Sequence, residues 1–357
     1  MNIIWYIPRL NIGGAESLTI SILNSLSNLN SIILITDKNK SSQINQLSKK
    51  IKVINLRDSS GFLYLSKLYG LRKILKKHAT YILVSNLTHA NLNSYISLLF
   101  TKIKIIAIEH NTLSKYLFHK KNLKNYIINF LCKLIYKKFH KVITVSNYVK
   151  KDLVKKYGCN NCYTIHNAIN KREIIKKSNK FKYKHNVPYI IFVGRLEKQK
   201  NLPRLLEIFH RLVINGIDHN LIIVGNGSQL PMLKEQVNKL RLSKRVVFLG
   251  ERQNPFPYIK NADLSIMTSN FEGFGIFLIE SLILGVKIFT YDKKIISEIT
   301  NNSIFKNLFT AKNSQKANIR QIKLLLKTKI KKSKLINVGK QFDVKVVCKK
   351  YLRVIFS

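Results

Sequence analysis

Acidic side chains are scarce in this chain. Of 357 residues, 17 are Asp or Glu against 63 Lys or Arg, for a formal net charge of +46. A field of that sign attracts polyanions, meaning nucleic acid or an anionic membrane surface. Arginine is scarce too: 12 of the 63, leaving 51 lysines. Arginine is preferred for bidentate phosphate and base contacts, so its scarcity counts against nucleic acid. Lys, Ile and Asn are abundant together, which fits an AT-rich coding bias and a charge that is no more than a solvated surface. Cysteine is limited to four. With no signal peptide expected, that argues for a reduced compartment. Cys159 and Cys162 form a CxxC with no second pair, which reads as a plain loop before it reads as zinc or redox chemistry. No apolar run reaches eighteen residues, so no transmembrane helix is expected. The opening MNIIWYIPRL lacks a basic stretch ahead of an apolar one and reads as a first strand.

What is present is enough to fold. Hydrophobic residues make up 46%, so wholesale disorder is not expected, and the length suits two domains. In the first half, β-rich runs at 3–7, 31–36, 52–56, 81–85, 104–110 and 141–146 alternate with helical patterns such as 15–29, 64–77 and 91–100. The second half repeats that grammar. Runs at 188–194, 220–225, 245–250, 263–269 and 287–291 alternate with helical patterns at 202–215, 229–240 and 277–284. Strands alternating with helices predict α/β architecture, here two doubly wound parallel sheets. The expected organisation is a first domain over 1–170, a polar basic linker over 171–187, a second domain over 188–340 and a terminal segment over 341–357. Ligands of open α/β sheets bind beyond the carboxyl ends of the strands, so a cleft between facing domains is the default site.

The segment 115–141 places Leu123, Ile127, Phe130, Leu131, Leu134 and Ile135 at helical spacing among lysines. Such a helix either packs its stripe on the first sheet or lies on a membrane surface. The first is the leading expectation.

Three loops carry candidate chemistry. Asn11–Glu16 contains Gly13 and Gly14 at a strand-to-helix turn, where free helix N–H groups favour an anion. GRLEKQKN follows a strand and places Gly194, Arg195 and Lys200 where a diphosphate would sit. SNFEGFGIFLIESLILG contains Glu272 and Glu280, eight residues apart in an apolar segment. On a continuous helix they would stand about 12 Å apart along the axis. The carboxylate pairs of glycosidases lie about 5 to 9.5 Å apart, so a matched acid and nucleophile is not the natural reading. Two carboxylates touching separate hydroxyls of one extended ligand fit better, with backbone amides at Gly275–Phe277 meeting phosphate or sugar oxygens. The alternative leaves Glu272 on an exposed loop and Glu280 facing solvent.

The combination resembles the family 4 glycosyltransferases, a retaining group with the GT-B fold of two Rossmann-like domains facing across a cleft. The signature Glu-x7-Glu stands here as EGFGIFLIE, Glu272 to Glu280. GRLEKQKN is similar to the family's phosphate loop, GGAE at 13–16 to its N-terminal glycine loop, and IEHN at 108–111 to its strand-end motif. VSNYVKKDLVKKYG at 145–158 is similar to the approach to the domain crossover, and 342–356 to the helix that crosses back to the first domain. The resemblance spans nearly the whole chain.

The resemblance implies roles. Arg195 and Lys200 would neutralise the donor diphosphate beside Gly194. Glu280 would hold the ribose hydroxyls. Glu272, Gly273 and the amides of Phe274, Gly275, Ile276 and Phe277 would contact the transferred sugar. His110 would face that sugar, although it also reads as a satisfied strand-end histidine. Gly14 would approach the phosphate or the acceptor. No metal or cofactor is expected: there is no DxD, and a cationic loop can replace a metal's charge. The chain also departs from the pattern. Lys287 occupies the usual proline position, and YDKKIISEI keeps Glu298 but lacks a glycine pair.

The expected activity is transfer of a hexose or N-acetylhexosamine from a nucleotide-diphosphate sugar, with uridine favoured. The expected acceptor is a lipid-linked saccharide in surface polysaccharide assembly. The expected setting is the inner face of the cytoplasmic membrane, with an anionic membrane surface as partner and no nucleic acid. The alternatives are a cytosolic transferase with a soluble acceptor, an inactive family member, and a basic nucleic-acid-binding protein without catalysis.

Overall fold

Twelve short runs, most of them rich in Ile, Val, Leu and Phe, form strands in a computed structural model, which describes residues 2–10, 14–28, 31–37, 43–56, 63–78, 80–118, 122–300, 305–312 and 314–357. They make two wholly parallel sheets. The first contains β1 (Asn2–Tyr6), β2 (Ser31–Thr36), β3 (Lys52–Asn55), β4 (Ile82–Asn86), β5 (Ile105–Glu109), β6 (Lys141–Thr144) and β7 (Cys162–Thr164). Their spatial order is β3-β2-β1-β4-β5-β6-β7. The second contains β8 (Tyr189–Val193), β9 (Asn220–Val224), β10 (Val246–Gly250), β11 (Leu264–Met267) and β12 (Lys287–Thr290), in the order β10-β9-β8-β11-β12. Each order reverses beside its first strand, at β1/β4 and β8/β11, which is the topological switch point of a Rossmann-like sheet.

The chain forms two compact units, Met1–Ile169 with Phe342–Ser357, and Asn170–Gln341. In the first, β1 sends Ile4 and Tyr6 into one core layer and Ile3 and Trp5 into the other. That is the period of two expected of a strand covered on both faces. The helix Val344–Phe356 covers the second layer, and its buried Tyr351 lies 6.1 Å from the Trp5 ring.

Four features depart from the sequence reading. The segment taken as a linker carries the helix Lys171–Ser178, capped by the Asn170 side chain, which accepts from Glu173 N. It joins the second unit by packing on the helices Phe256–Lys260 and Ile276–Ile283. Its abundant lysines hid the short inward row of Ile174 and Ser178. The CxxC loop is in part a strand: β7 pairs with β6 through Val142 and Cys162. Cys159 and Cys162 are free and buried, with sulfurs 3.1 Å apart. Lys287 is no misfit at its proline position. Its Nζ donates to the carbonyls of Leu325 at 2.7 Å, Leu326 at 3.2 Å and Thr328 at 3.3 Å, closing the carboxyl end of the helix Gln315–Lys327. Lys141 closes the last helix in the same way, donating to Val354 O at 2.9 Å and Ser357 Oγ at 2.8 Å. A cation there meets the negative end of the helix dipole.

The fourth departure concerns the helix Leu123–Ile135. It buries Ile128, Cys132 and Ile135, whereas Leu123, Ile127, Phe130 and Leu134 face outward. Among the described residues no helix is long and apolar enough to cross a membrane.

Candidate active site

The second unit builds its candidate site at the carboxyl ends of β8, β9 and β11. After β8 the chain turns through Gly194, exposed Arg195 and the helical turn Lys198–Lys200 before the helix Leu202–Ile214. This loop lies directly on the one that follows β9. Leu196 N donates to Asn226 O at 2.9 Å, and Glu197 accepts from Ser228 N at 3.1 Å and Ser228 Oγ at 2.8 Å. A Cβ on Gly225 would stand 2.0 Å from the Gly194 carbonyl oxygen, so the crossing requires glycine there. Gly225 and Gly227 are not among the candidates named from the sequence, although GNGS after a strand is a visible signal.

The segment after β11 is laced to the same loop. Thr268 Oγ1 donates to Asn201 O at 2.9 Å, Asn270 N to Gln199 O at 2.9 Å, and Gln199 Nε2 to Phe271 O at 3.0 Å. These bonds bring Glu272 to Lys200, with Nζ 2.5 Å from Oε1. Ser269 Oγ, also missed from sequence, donates to the same oxygen at 2.6 Å. Glu272 is therefore buried and paired, which removes the exposed-loop alternative. Gly273 and Phe274 are buried beside it. Gly275 takes φ +73° at the start of the helix Ile276–Ile283, and an added Cβ would meet Ile295 Cγ2 at 3.2 Å. The first N–H groups of that helix, including those of Ile276 and Phe277, have no partner within it. Phe277 anchors the turn by packing against Phe192, with ring centroids 6.1 Å apart.

Glu280 lies on this helix, one side of it partly accessible. Its carboxylate accepts no hydrogen bond from any described residue. Burial pushes its pKa up to about 7, against the opposing pull of Lys177. The missing glycine pair near Glu298 is answered by Asp292, which accepts from Lys294 N at 3.0 Å and Ile295 N at 3.1 Å. It thereby starts the helix Lys293–Thr300 behind the Glu272 loop.

In the first unit the strand-end motif is a hydrogen-bonded node. Glu109 is fully buried and accepts from His110 N, Asn111 N, Thr88 Oγ1 and Tyr136 OH at 2.6–3.1 Å. It holds the turn that presents His110. The His110 Nε2 lies 2.6 Å from Asn86 Oδ1, Asn86 Nδ2 donates to Thr19 Oγ1 at 2.7 Å, and Thr19 Oγ1 donates to Ala15 O at 2.8 Å. The threonine proton is committed to a carbonyl, so the amide must give Thr19 its NH2 and His110 its oxygen. Nε2 then carries the imidazole proton and Nδ1 is left as an acceptor. Burial lowers the His110 pKa to about 4, so the ring is neutral near pH 7. Asn86 and Thr19 carried no motif signal. Gly14 is exposed at the head of Gly14–Leu26, the helix that carries Thr19; Asn11, Ile12 and Gly13 lie outside the described residues.

Two family models match. "Glycosyltransferase Family 4" covers residues 12–173 and "Glycosyl transferases group 1" covers 170–342, so the pair accounts for almost the whole chain. The chain belongs to the family 4 glycosyltransferases. This family 4 chain is 29% identical over 240 residues to a Campylobacter jejuni enzyme, N-acetylgalactosamine-N,N'-diacetylbacillosaminyl-diphospho-undecaprenol 4-alpha-N-acetylgalactosaminyltransferase, covering 62% of this chain and 64% of that one. It is 31% identical over 202 residues to the O-antigen chain mannosyltransferase RfbU of Salmonella typhimurium, covering 54% of each. Its match to the first of these spans a little under two thirds of that relative's length. Among solved structures it resembles HepE of Anabaena in complex with UDP-glucose, with TM-score 0.76, 18% identity and 99% of each chain covered. The fold is GT-B, with two Rossmann-like units.

Proposed function

We propose that this family 4 glycosyltransferase moves a hexose or N-acetylhexosamine from a UDP-linked donor to a lipid-linked saccharide, with retention at the anomeric carbon, in surface polysaccharide assembly. The observation that carries the reading is the Lys200–Glu272 pair, which ties the cationic loop after β8 to the Glu-x7-Glu element. Arg195 and Lys200 flank the donor diphosphate, and the helix start at Gly275–Phe277 adds free N–H groups. Glu280, whose carboxylate accepts no hydrogen bond among the described residues, takes the ribose hydroxyls. Glu272 and Gly273 to Phe277 border the transferred sugar, and His110 offers it the acceptor nitrogen Nδ1.

The acceptor hydroxyl oxygen attacks the anomeric carbon from the face the diphosphate leaves. The new C–O bond forms as the bond to the β-phosphate oxygen breaks, and the proton passes to that oxygen. The residues' main work is to stabilise charge growing on the leaving diphosphate. The reading needs no metal or cofactor, because the loop cations supply the counter-charge. The names of the Campylobacter and Salmonella relatives support a lipid-linked, O-antigen-type setting, and the HepE complex supports uridine.

The test is a panel of UDP-, GDP- and ADP-sugars assayed for nucleotide release with and without membrane extract, beside Glu280→Ala. Release from one donor, lost in the variant, is expected. Silence across all donors with extract present would overturn the reading.

A further inference from the structure

The outer face of the helix Leu123–Ile135 is unusual. Leu123, Ile127, Phe130 and Leu134 are spaced four, three and four residues apart, so they form one row along it. They are 76%, 53%, 61% and 42% exposed. The opposite row is already buried in the core, so this helix is apolar on two faces and the fold uses only one. Single exposed apolar residues need no explanation, but a contiguous row does. The patch extends to Phe118 of the helix Leu113–Phe118, which meets the Tyr126 ring edge-on at 5.9 Å and is itself exposed.

Beside this row lies a cationic hollow of about 510 Å³, whose lining includes Lys115, Lys133, Lys155 and Lys156. Lys133 stands three residues beyond Phe130 and seven beyond Tyr126, so the cationic and apolar surfaces adjoin on one helix. Among the described residues no carboxylate lines the hollow. The nearby Asp152 is occupied by Ser114, whose N and Oγ donate to it. Among the described residues none of the four lysines forms an ion pair with a carboxylate.

We propose that this face docks on an anionic bilayer, with Leu123, Ile127, Phe130 and Leu134 entering the interface and the four-lysine hollow taking lipid phosphate. Both halves of the surface are needed to choose the occupant. Nucleic acid would use the lysines but has no use for an apolar row. A second copy would use the row but would bring another +46 against this one. An anionic leaflet satisfies both, with apolar insertion and headgroup attraction acting together. Lysine suits this role because headgroup attraction asks for point charge rather than a bidentate fork. The location also serves the reaction. The far end of the helix feeds β6 through Tyr136–Lys138, so its amino end lies at the carboxyl edge of the first sheet, where His110 follows β5. The docking surface deepens the lipid-linked-acceptor reading and rests on it for its purpose, though not for its test.

Flotation with phosphatidylcholine vesicles and with vesicles also containing phosphatidylglycerol would test it, on the full chain at low and high salt. The wild type is expected to float with the anionic vesicles alone and to release partly in high salt. Ile127→Glu/Phe130→Glu and Lys133→Glu/Lys155→Glu should each weaken binding about tenfold or more. Circular dichroism and calorimetric UDP binding should stay unchanged, because all four positions are exposed and outside the donor loops. No flotation at low salt, or variants that float like the wild type, would overturn the proposal. So would a dimer in sedimentation that the Phe130 variant dissociates without any vesicle binding. Failure of the donor panel alone would leave the flotation result standing, so the two readings fail separately.

Discussion

Lys200 and Glu272 are 72 residues apart in sequence and 2.5 Å apart in space. One comes from the loop after β8, the other from the loop after β11, and those strands are neighbours at the switch point of their sheet. The pair is mostly buried, so its lysine is a fixed cation rather than a swinging one.

Removing one partner strands the other. Lys200→Met is expected to cost about 3 kcal/mol by leaving a buried carboxylate without its counter-charge. Adding Glu272→Gln should restore part of that stability but no donor binding. Thermal melts and UDP titrations on the two single variants and the double variant would check this. Additive losses in stability would refute the coupling.

Glu280 should make behaviour depend on pH in two opposed ways. Its folded pKa is raised to about 7 from an ordinary 4.5, so the fold prefers the neutral acid. The stability this group contributes is complete below pH 4.5 and is lost as pH rises through 7. Ribose hydroxyls, by contrast, are better held by the carboxylate, so UDP should bind more tightly as pH rises through the same range. Calorimetric titration against pH, with Glu280→Gln to remove the slope of the nucleotide's own phosphate, separates the terms. Identical profiles would exclude a ribose role.

Asn86 should act on His110 as a positioning residue. In the wild type, ¹⁵N NMR is expected to show one neutral tautomer with the proton on Nε2. Asn86→Ala should give a mixture and lower kcat about tenfold, with a smaller change in donor KM. A single unchanged tautomer in the variant would refute the relay through Thr19.

Lys287→Met should lower stability by about 1–2 kcal/mol, because three helix-end carbonyls lose their donor. Turnover per folded molecule should be unchanged. A loss of turnover without a loss of stability would place Lys287 in the reaction instead of in the fold.

Much of the architecture was legible in the sequence because it depends on neighbours in the chain. Runs such as SIILIT and NLIIV are continuous and apolar because both faces of a parallel sheet are covered, and they fell on β2 and β9 with little error. EGFGIFLIE announced its loop and helix through Gly275 and the apolar run after it. Where a motif lay within one loop, its residues could be named. Cys162 in β7 and the helix after Asn170 were missed for the same local reason, since three residues or two inward side chains are too few to show a period.

The partners were settled by the tertiary structure. Strand order, not sequence distance, placed Lys200 on Glu272 and Asn86 on His110. Burial then decided that Glu280 titrates near 7 and that His110 stays neutral. Periodicity found the helix Leu123–Ile135 but assigned its stripe to the core. A helix with two apolar rows carries the same signal in either orientation, and only the burial of Ile128 and Cys132 in the core cluster of the first unit leaves Ile127 and Phe130 outside.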